Sequence, residues 1–435
     1  MLPAEVLVVG GGPAGVAAAV ELVGSGWRVL LAEQRDRLGG AVHRAYAGTG
    51  HSPIQRNAHH QRCWQGLQDQ VGQAGDRLTV QLQCVFLGVD RDGRYLLDDR
   101  VAARVRSVRP KAVVMALGGV ERVLPVPGWE LPGVTSAGGM QMQLKETGDV
   151  PQGPILVAGS GPLPLALAAQ LAAAGNPPLA VLERGQPFRT ALTQPGAAFN
   201  GLRSWPHVSE ALGYARQLLR CGVPYRTGCT ITAIEAAPHG LRVATLNQQG
   251  KTRLYEVAHL ALHDGLDTNQ TGLPRQGSTG VPVVWAGDCR EVLGADAALH
   301  DGRRAAQQVA RALGRWCREA DFERPLQSAR GLQAALRTLY QASAPGVTPE
   351  TVICRCEGLR AAQLQALKGA DSPHEMRVVG RFAMGACQGR FCARATQEFA
   401  ARSGLVFELG ELHGSAPRWP LRPVSVVALA AYGDD

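Results

Sequence analysis

Several signals that would define a function class are missing from this sequence of 435 residues. It has no block rich in lysine and arginine, and no stretch in which basic and aromatic residues alternate. Its formal net charge of +9 therefore does not predict nucleic-acid binding. It has no uncharged apolar run of about 18 residues, so no transmembrane segment is expected. The scattered positive charge is compatible with an acidic partner or with peripheral association with an anionic membrane face.

The amino terminus lacks the basic segment and long apolar run of a secretory signal. Residues 1–12, MLPAEVLVVGGG, are interpreted as the approach to a first strand. We therefore expect a cytoplasmic protein, located on the inner face of the membrane if it associates with one. In that reducing compartment most of the ten cysteines should be buried thiols or metal ligands rather than disulfides.

A redox-active Cys-x-x-Cys pair is also missing beside the nucleotide-binding motifs described below. Cys221 and Cys229 are too far apart in the sequence to form one. This absence argues against a disulfide reductase.

Residues 5–33 instead have the pattern of a dinucleotide-binding unit: an apolar strand, a glycine turn, an alanine-rich helix and a second apolar strand. The first glycine of such a turn permits a tight bend, the second lets the backbone approach a pyrophosphate, and the third allows close helix–strand packing. An acid about twenty residues later can accept hydrogen bonds from ribose hydroxyls. The predicted cofactor-binding residues here are Gly10, Gly12, Pro13, Ala14, Gly15, Glu33 and Gln34.

Three later segments extend this pattern. Gly39 and Gly40 follow a short basic stretch, Gly118 ends the apolar segment KAVVMALGG, and Gly287–Asp288 ends the segment VPVVWAGDC. In this order they resemble the two-dinucleotide-domain flavoproteins. The resemblance implies bound FAD, with the paired glycines approaching it and the aspartate contacting its ribityl or phosphate region.

Residues 154–185 repeat the opening plan, with Gly159, Gly161 and a strand that ends at Glu183. Pro164 replaces the third glycine. Proline is tolerated in the first helical turn, but its ring adds bulk where the helix should pack closely. NAD, ATP and an empty scaffold all remain open for this second site, and Glu183 disfavours the 2′-phosphate of NADP.

Four cysteines form a separate motif near the carboxyl end: Cys354, Cys356, Cys387 and Cys392. The spacing Cys-x-Cys, about thirty residues, then Cys-x4-Cys is compatible with zinc, with a [2Fe–2S] cluster or with free thiols. Nearby Arg355, Arg390 and Arg394 would stabilise an anionic centre, and a flavin upstream would supply it with electrons. The iron–sulfur interpretation is therefore favoured. Ile353, Phe382 and Phe391 are expected to shield the site.

The segments CRCEG and GACQGRFC resemble the [2Fe–2S] domain of bacterioferritin-associated ferredoxin (BFD). Together with the first glycine motif, VAGSGPL, WAGD and RWPLRPVSVVALA, they are similar to the α subunit of heteromeric amino-acid dehydrogenases. That family includes opine (octopine and nopaline) oxidases, D-hydroxyproline dehydrogenase and hydrogen cyanide synthase.

The resemblance implies an electron-transfer subunit that works with an FAD-containing β subunit, which oxidises the amino acid. It also implies a small ferredoxin-like γ subunit, with FMN bound at an interface between subunits. We nominate no catalytic residue in this chain. Two alternatives remain: a self-sufficient NADH-dependent ferredoxin-type reductase, and a non-catalytic scaffold that binds ATP.

The expected fold class is α/β: a Rossmann-like flavoprotein with a second dinucleotide-binding fold inserted into the first, followed by a small, mostly α-helical BFD-like [2Fe–2S] domain. The predicted boundaries are 1–125 and 280–315 for the FAD domain, 126–279 for the inserted domain, 316–348 for a connector, 349–400 for the BFD-like domain and 401–435 for a tail.

Overall fold

The computed structural model describes residues 4–44, 46, 58–122, 125–274, 280–315, 321–343, 346–367, 369–370, 372–402, 404–412 and 419–432. Strands and helices are numbered in chain order. No helix within the described ranges is both long enough and apolar enough to cross a membrane.

The first nucleotide fold is built on a five-stranded parallel sheet in the order β18-β7-β1-β2-β3. Its central strands are runs of Val, Leu, Ala and Met that are buried along their whole length, as expected for a parallel sheet covered on both faces. A three-stranded antiparallel sheet, β4-β5-β6, adjoins it. The elements are β1 (Val6–Val9), α1 (Pro13–Gly24), β2 (Val29–Ala32), α2 (Ala58–Gln73), β3 (Leu78–Gln81), β4 (Cys84–Val89), β5 (Tyr95–Asp99), β6 (Arg104–Val108), β7 (Ala112–Met115), β18 (Val283–Trp285) and α8 (Ala295–Ala312).

Helices α1 and α8 cross at very close range. A Cβ added at Gly302 would lie 2.1 Å from the carbonyl oxygen of Ala14, so only glycine fits at that point of α8. The alanine-rich face of α1 therefore packs directly on α8 and fixes the start of α1 relative to the end of β18.

The second nucleotide fold has a five-stranded parallel sheet in the order β12-β11-β10-β16-β9 and an antiparallel sheet β13-β14-β15. Its elements are β9 (Val134–Ser136), α3 (Ala137–Thr147), β10 (Ile155–Gly159), α4 (Pro162–Ala173), β11 (Ala180–Glu183), α5 (Pro187–Thr193), α6 (Pro195–Leu202), α7 (Trp205–Arg220), β12 (Tyr225–Thr227), β13 (Cys229–Ala237), β14 (Gly240–Asn247), β15 (Thr252–Val257) and β16 (His259–His263). Strands β8 (Gly119–Glu121) and β17 (Leu266–Thr268) pair antiparallel where the chain passes between the two folds.

The chain continues through α9 (Glu323–Leu339) into a small unit, residues 346–412, which we call the cysteine unit. It contains β19 (Val352–Cys354), β20 (Leu359–Arg360), α10 (Ala361–Ala366), α11 (Pro373–Val378), α12 (Ala393–Arg402) and α13 (Leu409–Leu412). Its own core includes Ile353, Leu364, Met376 and Phe382. The last helix, α14 (Val426–Ala430), packs beside β4–β6 of the first fold.

Candidate functional site

The first glycine turn lies at the carboxyl end of β1 and opens onto a cleft. Gly10 has φ +105°, and a Cβ there would lie 2.4 Å from the carbonyl oxygen of Ala116. A Cβ at Gly15 would lie 1.8 Å from the carbonyl oxygen of Gly10, so this glycine permits close helix–strand packing. A Cβ at Gly12 would meet only Gly40 Cα, at 3.7 Å. Gly12 therefore faces open space, where the backbone is accessible to a ligand.

Glu33 is buried at the end of β2 and is held by the turn itself. Its Oε2 accepts a hydrogen bond from the backbone N–H of Gly11 at 2.6 Å, and its Oε1 accepts one from that of Arg35 at 2.9 Å. The carboxylate is thereby fixed at the mouth of the turn, at the position expected for a ribose-binding acid. Gly11, whose N–H orients this acid, was not among the residues predicted from the sequence.

The cleft has an empty volume of about 1210 Å³, including its open mouth. Nine residues predicted from the sequence line it: Gly10, Gly12, Pro13, Ala14, Glu33, Gln34, Gly40, Gly118 and Asp288. Gly15, Gly39 and Gly287 do not line it. Gly39 (φ +128°) lies against the carbonyl of His43, and Gly287 (φ +64°) lies against Ala14, so these two glycines shape the cleft from behind.

Asp288 lies just before α8 and faces the cleft. Its Oδ1 accepts hydrogen bonds from the backbone N–H groups of Leu293 at 3.0 Å and Gly294 at 3.1 Å. Burial raises the pKa of this carboxyl. Like Glu33, it is oriented by main-chain donors rather than by a basic side chain.

Several lining residues were not predicted, because most of them come from segments that are distant in the sequence. They are Cys84, Val85, Phe86, Met142, Asn269 and Arg422 among others. Arg35 and Arg44 also line the cleft, and both form ion pairs with Glu146 of α3. No local sequence pattern predicts a contact between segments that are so far apart in the chain.

The second glycine turn has a similar backbone. Gly159 (φ +153°) is enclosed, since a Cβ there would lie 1.9 Å from the carbonyl oxygen of His263, whereas Gly161 (φ +106°) has open space around it. Glu183 is buried and accepts backbone hydrogen bonds from Gly161 at 3.0 Å and Gly185 at 2.7 Å. Burial raises the pKa of Glu183.

The connector after α9 lies against this second turn. The hydroxyl of Ser160 donates a hydrogen bond to the carbonyl oxygen of Tyr340 at 2.8 Å, and Arg184 donates one to the carbonyl of Ser343 at 3.3 Å. Gly185 also lies close to the Tyr340 carbonyl. Part of the wall of the second site is therefore supplied by the segment that leads to the cysteine unit.

The fold brings the four carboxyl-terminal cysteines together as two contacting pairs, Cys354 with Cys392 and Cys356 with Cys387. Cys354 ends β19, and Cys392 directly precedes α12. The thiol of Cys392, together with backbone N–H groups that include those of Glu357 and Ala383, lowers the pKa of Cys354 to about 6. The same contact with Cys354 raises the pKa of Cys392, while burial raises that of Cys356.

Within the described part of the chain, no three His, Cys, Asp or Glu side chains form a compact group around one metal ion. The four thiols lie instead as two pairs, and each pair could supply two sulfur donors. Close packing supports the turn that carries them, because a Cβ at Gly385 would lie 2.4 Å from Cys356 Cβ.

The surroundings of the cysteines match the sequence analysis in part. Ile353 and Phe382 are buried, whereas Phe391 is 51% exposed. Arg390 Nη1 donates to the carbonyl of Cys387 at 2.9 Å.

The other two arginines bind neighbouring folds instead of the cysteines. Arg355 donates to the carbonyl of Glu130 at 3.3 Å, and Arg394 pairs with Asp267 of β17 at 2.6 Å. These two arginines therefore attach the cysteine unit to the segment around Glu130 and to β17.

Comparison with known proteins gives matches over the whole chain. Residues 4–292 match the family model described as pyridine nucleotide-disulphide oxidoreductase. The A subunit of opine oxidase from Agrobacterium tumefaciens (strain Ach5) is 32% identical, covering 98% of this chain and 91% of that protein. The HcnB subunit of hydrogen cyanide synthase from Pseudomonas aeruginosa is 29% identical, covering 99% of each chain.

Among solved structures, L-proline dehydrogenase from P. horikoshii is similar in fold. The TM-score is 0.62 at 17% sequence identity, and the match covers 98% of this chain and 79% of that one.

Proposed function

Because the chain belongs to the pyridine nucleotide-disulphide oxidoreductase family, we propose that it is the electron-transfer subunit of a heteromeric amino- or imino-acid dehydrogenase. It is a flavin-dependent oxidoreductase, and it is related over its full length to the opine oxidase A subunit, as it is to HcnB. In the proposed complex it passes electrons from a substrate-oxidising β subunit to a downstream acceptor. The substrates would be of the D-hydroxyproline or opine type.

FAD is the proposed ligand of the first cleft. The residues fit such a group: Gly12 faces open space at the start of α1, and Glu33 and Asp288 are oriented into the cleft by main-chain N–H groups. Gly10, Gly40 and Gly118 would form its backbone walls. When bound, the flavin supplies one- and two-electron chemistry, and the role of these residues is to bind and orient it.

The substrate would be oxidised on a partner subunit. Both carboxylates that were predicted to line the cleft are oriented by backbone N–H groups, which suits a role in holding a ligand. The relatives are named as subunits, which favours a division of labour. We propose that the complex contains an FAD-containing β subunit, together with a small ferredoxin-like γ subunit, and that FMN binds at an interface between subunits.

The four cysteines are the proposed ligands of a [2Fe–2S] cluster. Two contacting thiol pairs, one with a lowered pKa at Cys354, provide four sulfur donors from two segments, the end of β19 with the turn after it and the turn before α12. Such a cluster would supply a one-electron carrier between flavin and acceptor. Because its thiol ligands must stay reduced until iron binds, we propose a cytoplasmic location, on the inner face of the membrane if the protein associates with one.

The second nucleotide fold remains a candidate site for NAD or ATP. Its open Gly161 and buried Glu183 favour an adenine nucleotide, whereas the bulk of Pro164 and the connector at Ser160 act against tight binding. We therefore do not favour a self-sufficient NADH-dependent reductase.

The observation that carries this proposal is that one chain combines the nucleotide cleft with the two cysteine pairs and matches an opine oxidase component over its full length. The test is co-purification with its candidate β subunit, followed by a screen of D-amino acids, prolines, opines and glycine with a dye acceptor. We expect turnover by the complex and little by the isolated chain. Robust turnover by the single chain, with no partner detected by mass spectrometry, would contradict the proposal.

A further inference from the structure

The carboxyl-terminal tail reaches the first nucleotide cleft. The backbone N–H of Leu421 donates to the carbonyl of Leu87 in β4 at 2.9 Å, and the Leu421 side chain is buried with Cys84 and Phe86. Gly88 (φ +132°) makes room for Trp419, whose ring would lie 2.9 Å from a Cβ at that position. The segment Trp419–Arg422 is thus fixed along the strand whose start lines the cleft.

The same segment also contacts the cysteine unit. Gln388 donates to the carbonyl of Pro420 at 3.1 Å, and Arg390 Nη2 donates to the carbonyl of Leu421 at 3.2 Å. Both contacts go to main-chain atoms of the tail. They hold the tail in position whatever side chain follows at residue 422.

Among the described residues, Arg422 differs from the other arginines of the cleft in having no hydrogen-bond or ion-pair partner. Arg35 and Arg44 share Glu146, but the half-buried Arg422 makes no hydrogen bond or ion pair with any residue that the structure describes. Burial lowers the pKa of its guanidinium. A partly dehydrated cation without a counter-charge destabilises a fold, and an anion bound beside it removes that cost.

We propose that Arg422 is a cofactor-binding residue, which the tail delivers into the first cleft to bind the phosphate-bearing dinucleotide there. This rests on the proposed function, which assigns FAD to that cleft. A guanidinium is suited to the task because it donates several hydrogen bonds in one plane to phosphate oxygens. The tail would then form one wall of the cofactor site, together with the glycine turn.

The test measures FAD affinity in apoprotein of the full chain carrying Arg422→Gln or Arg422→Lys, by titration of flavin fluorescence. Losing a charge-assisted hydrogen bond should weaken binding about tenfold or more in the Gln variant, and the Lys variant should recover part of it. Thermal unfolding of the apoprotein should be unchanged or shifted upward, since the Gln variant removes an unpaired cation. Iron content should stay at the parent level, because the contacts of the tail with the cysteine unit are main-chain contacts.

The matched control is Arg109→Gln, an exposed arginine outside the lining of the cleft, which should bind FAD as the parent does. If both Arg422 variants bind FAD as tightly as the parent, the inference is wrong while the proposed function stands. If the parent itself binds no FAD, the proposed function and this inference fail together. Loss of affinity with an equal loss of apoprotein stability would indicate a structural role and would also overturn the inference.

Discussion

The indole nitrogen of Trp129 donates a buried hydrogen bond to the carbonyl oxygen of Val352 at 2.6 Å. Trp129 belongs to the second nucleotide fold, and Val352 lies two residues before Cys354 in the cysteine unit. Arg355 stacks over the same indole ring at 5.5 Å. These contacts therefore hold the segment that carries Cys354 and Cys356 against the second nucleotide fold.

Trp129→Phe should weaken that attachment. The substitution keeps most of the apolar surface but leaves the Val352 carbonyl buried without its donor, which costs about 1–3 kcal/mol. We expect a lower midpoint of chemical unfolding and faster proteolysis within the cysteine unit. Trp205→Phe is the matched control, because Trp205 is exposed; equal midpoints for the two variants would rule out this role for Trp129.

Two glycines of the first turn should respond differently to the same substitution. Gly12→Val places its side chain in open space, so the protein should fold but lose its flavin. Gly15→Val forces a Cβ against the carbonyl of Gly10 and should destabilise the fold itself. Flavin absorbance and thermal unfolding separate the two effects. Full flavin occupancy in a folded Gly12→Val protein would mean that the cofactor binds elsewhere.

The fold class and family could be predicted because the required signals are local. Gly10, Gly12 and Gly15 lie within one turn, and the apolar runs on either side specify buried parallel strands, so both predictions are confirmed. The prediction that the protein is a flavin-dependent oxidoreductase is also confirmed. The domain boundaries and individual site residues stay predictions.

What the sequence could not predict depends on contacts between distant segments. The Ser160–Tyr340 hydrogen bond and the position of Arg422 follow from how folded units pack, and no periodicity encodes them. The expectation that Phe391 helps to shield the cysteines stays a prediction, because about half of its side chain is exposed in the structure. Arg355 and Arg394 are close to the cysteines in the sequence and were expected to provide positive charge beside a cluster. In the structure their partners lie on other folds.

Docking of α12 should depend on pH through Asp267. Burial raises the pKa of Asp267, but hydrogen bonds from Arg122 and Arg394 outweigh it and leave the pKa below its ordinary value. A carboxylate with a lowered pKa contributes stability above its ordinary pKa, and that contribution is lost as pH falls through the lowered value. We therefore expect α12 to become less resistant to protease at pH values below about 4.

In Asp267→Asn the protease resistance of α12 should already be low at neutral pH, and it should change less when the pH is lowered. Asp92→Asn, at an exposed aspartate, is the control and should behave as the parent does. If the parent and Asp267→Asn have identical pH profiles, Asp267 does not control the docking.

Anaerobic mixing with NADH tests the second nucleotide fold. Because Pro164 stands where a third glycine is expected and the connector forms part of the wall beside Ser160, we expect no rapid bleaching of the flavin absorbance. Dithionite should bleach the same sample and serves as the positive control. Rapid bleaching by NADH would favour the self-sufficient reductase instead.

The proposed electron-transfer role is tested most directly by metal analysis and electron paramagnetic resonance of anaerobically prepared protein. We predict about two irons per chain and a rhombic or axial signal after dithionite reduction. Cys356→Ser should lose the iron and the signal but keep its FAD, because the cysteine unit has its own core. Stoichiometric zinc with no iron in the parent would contradict the account and make the four cysteines a structural site.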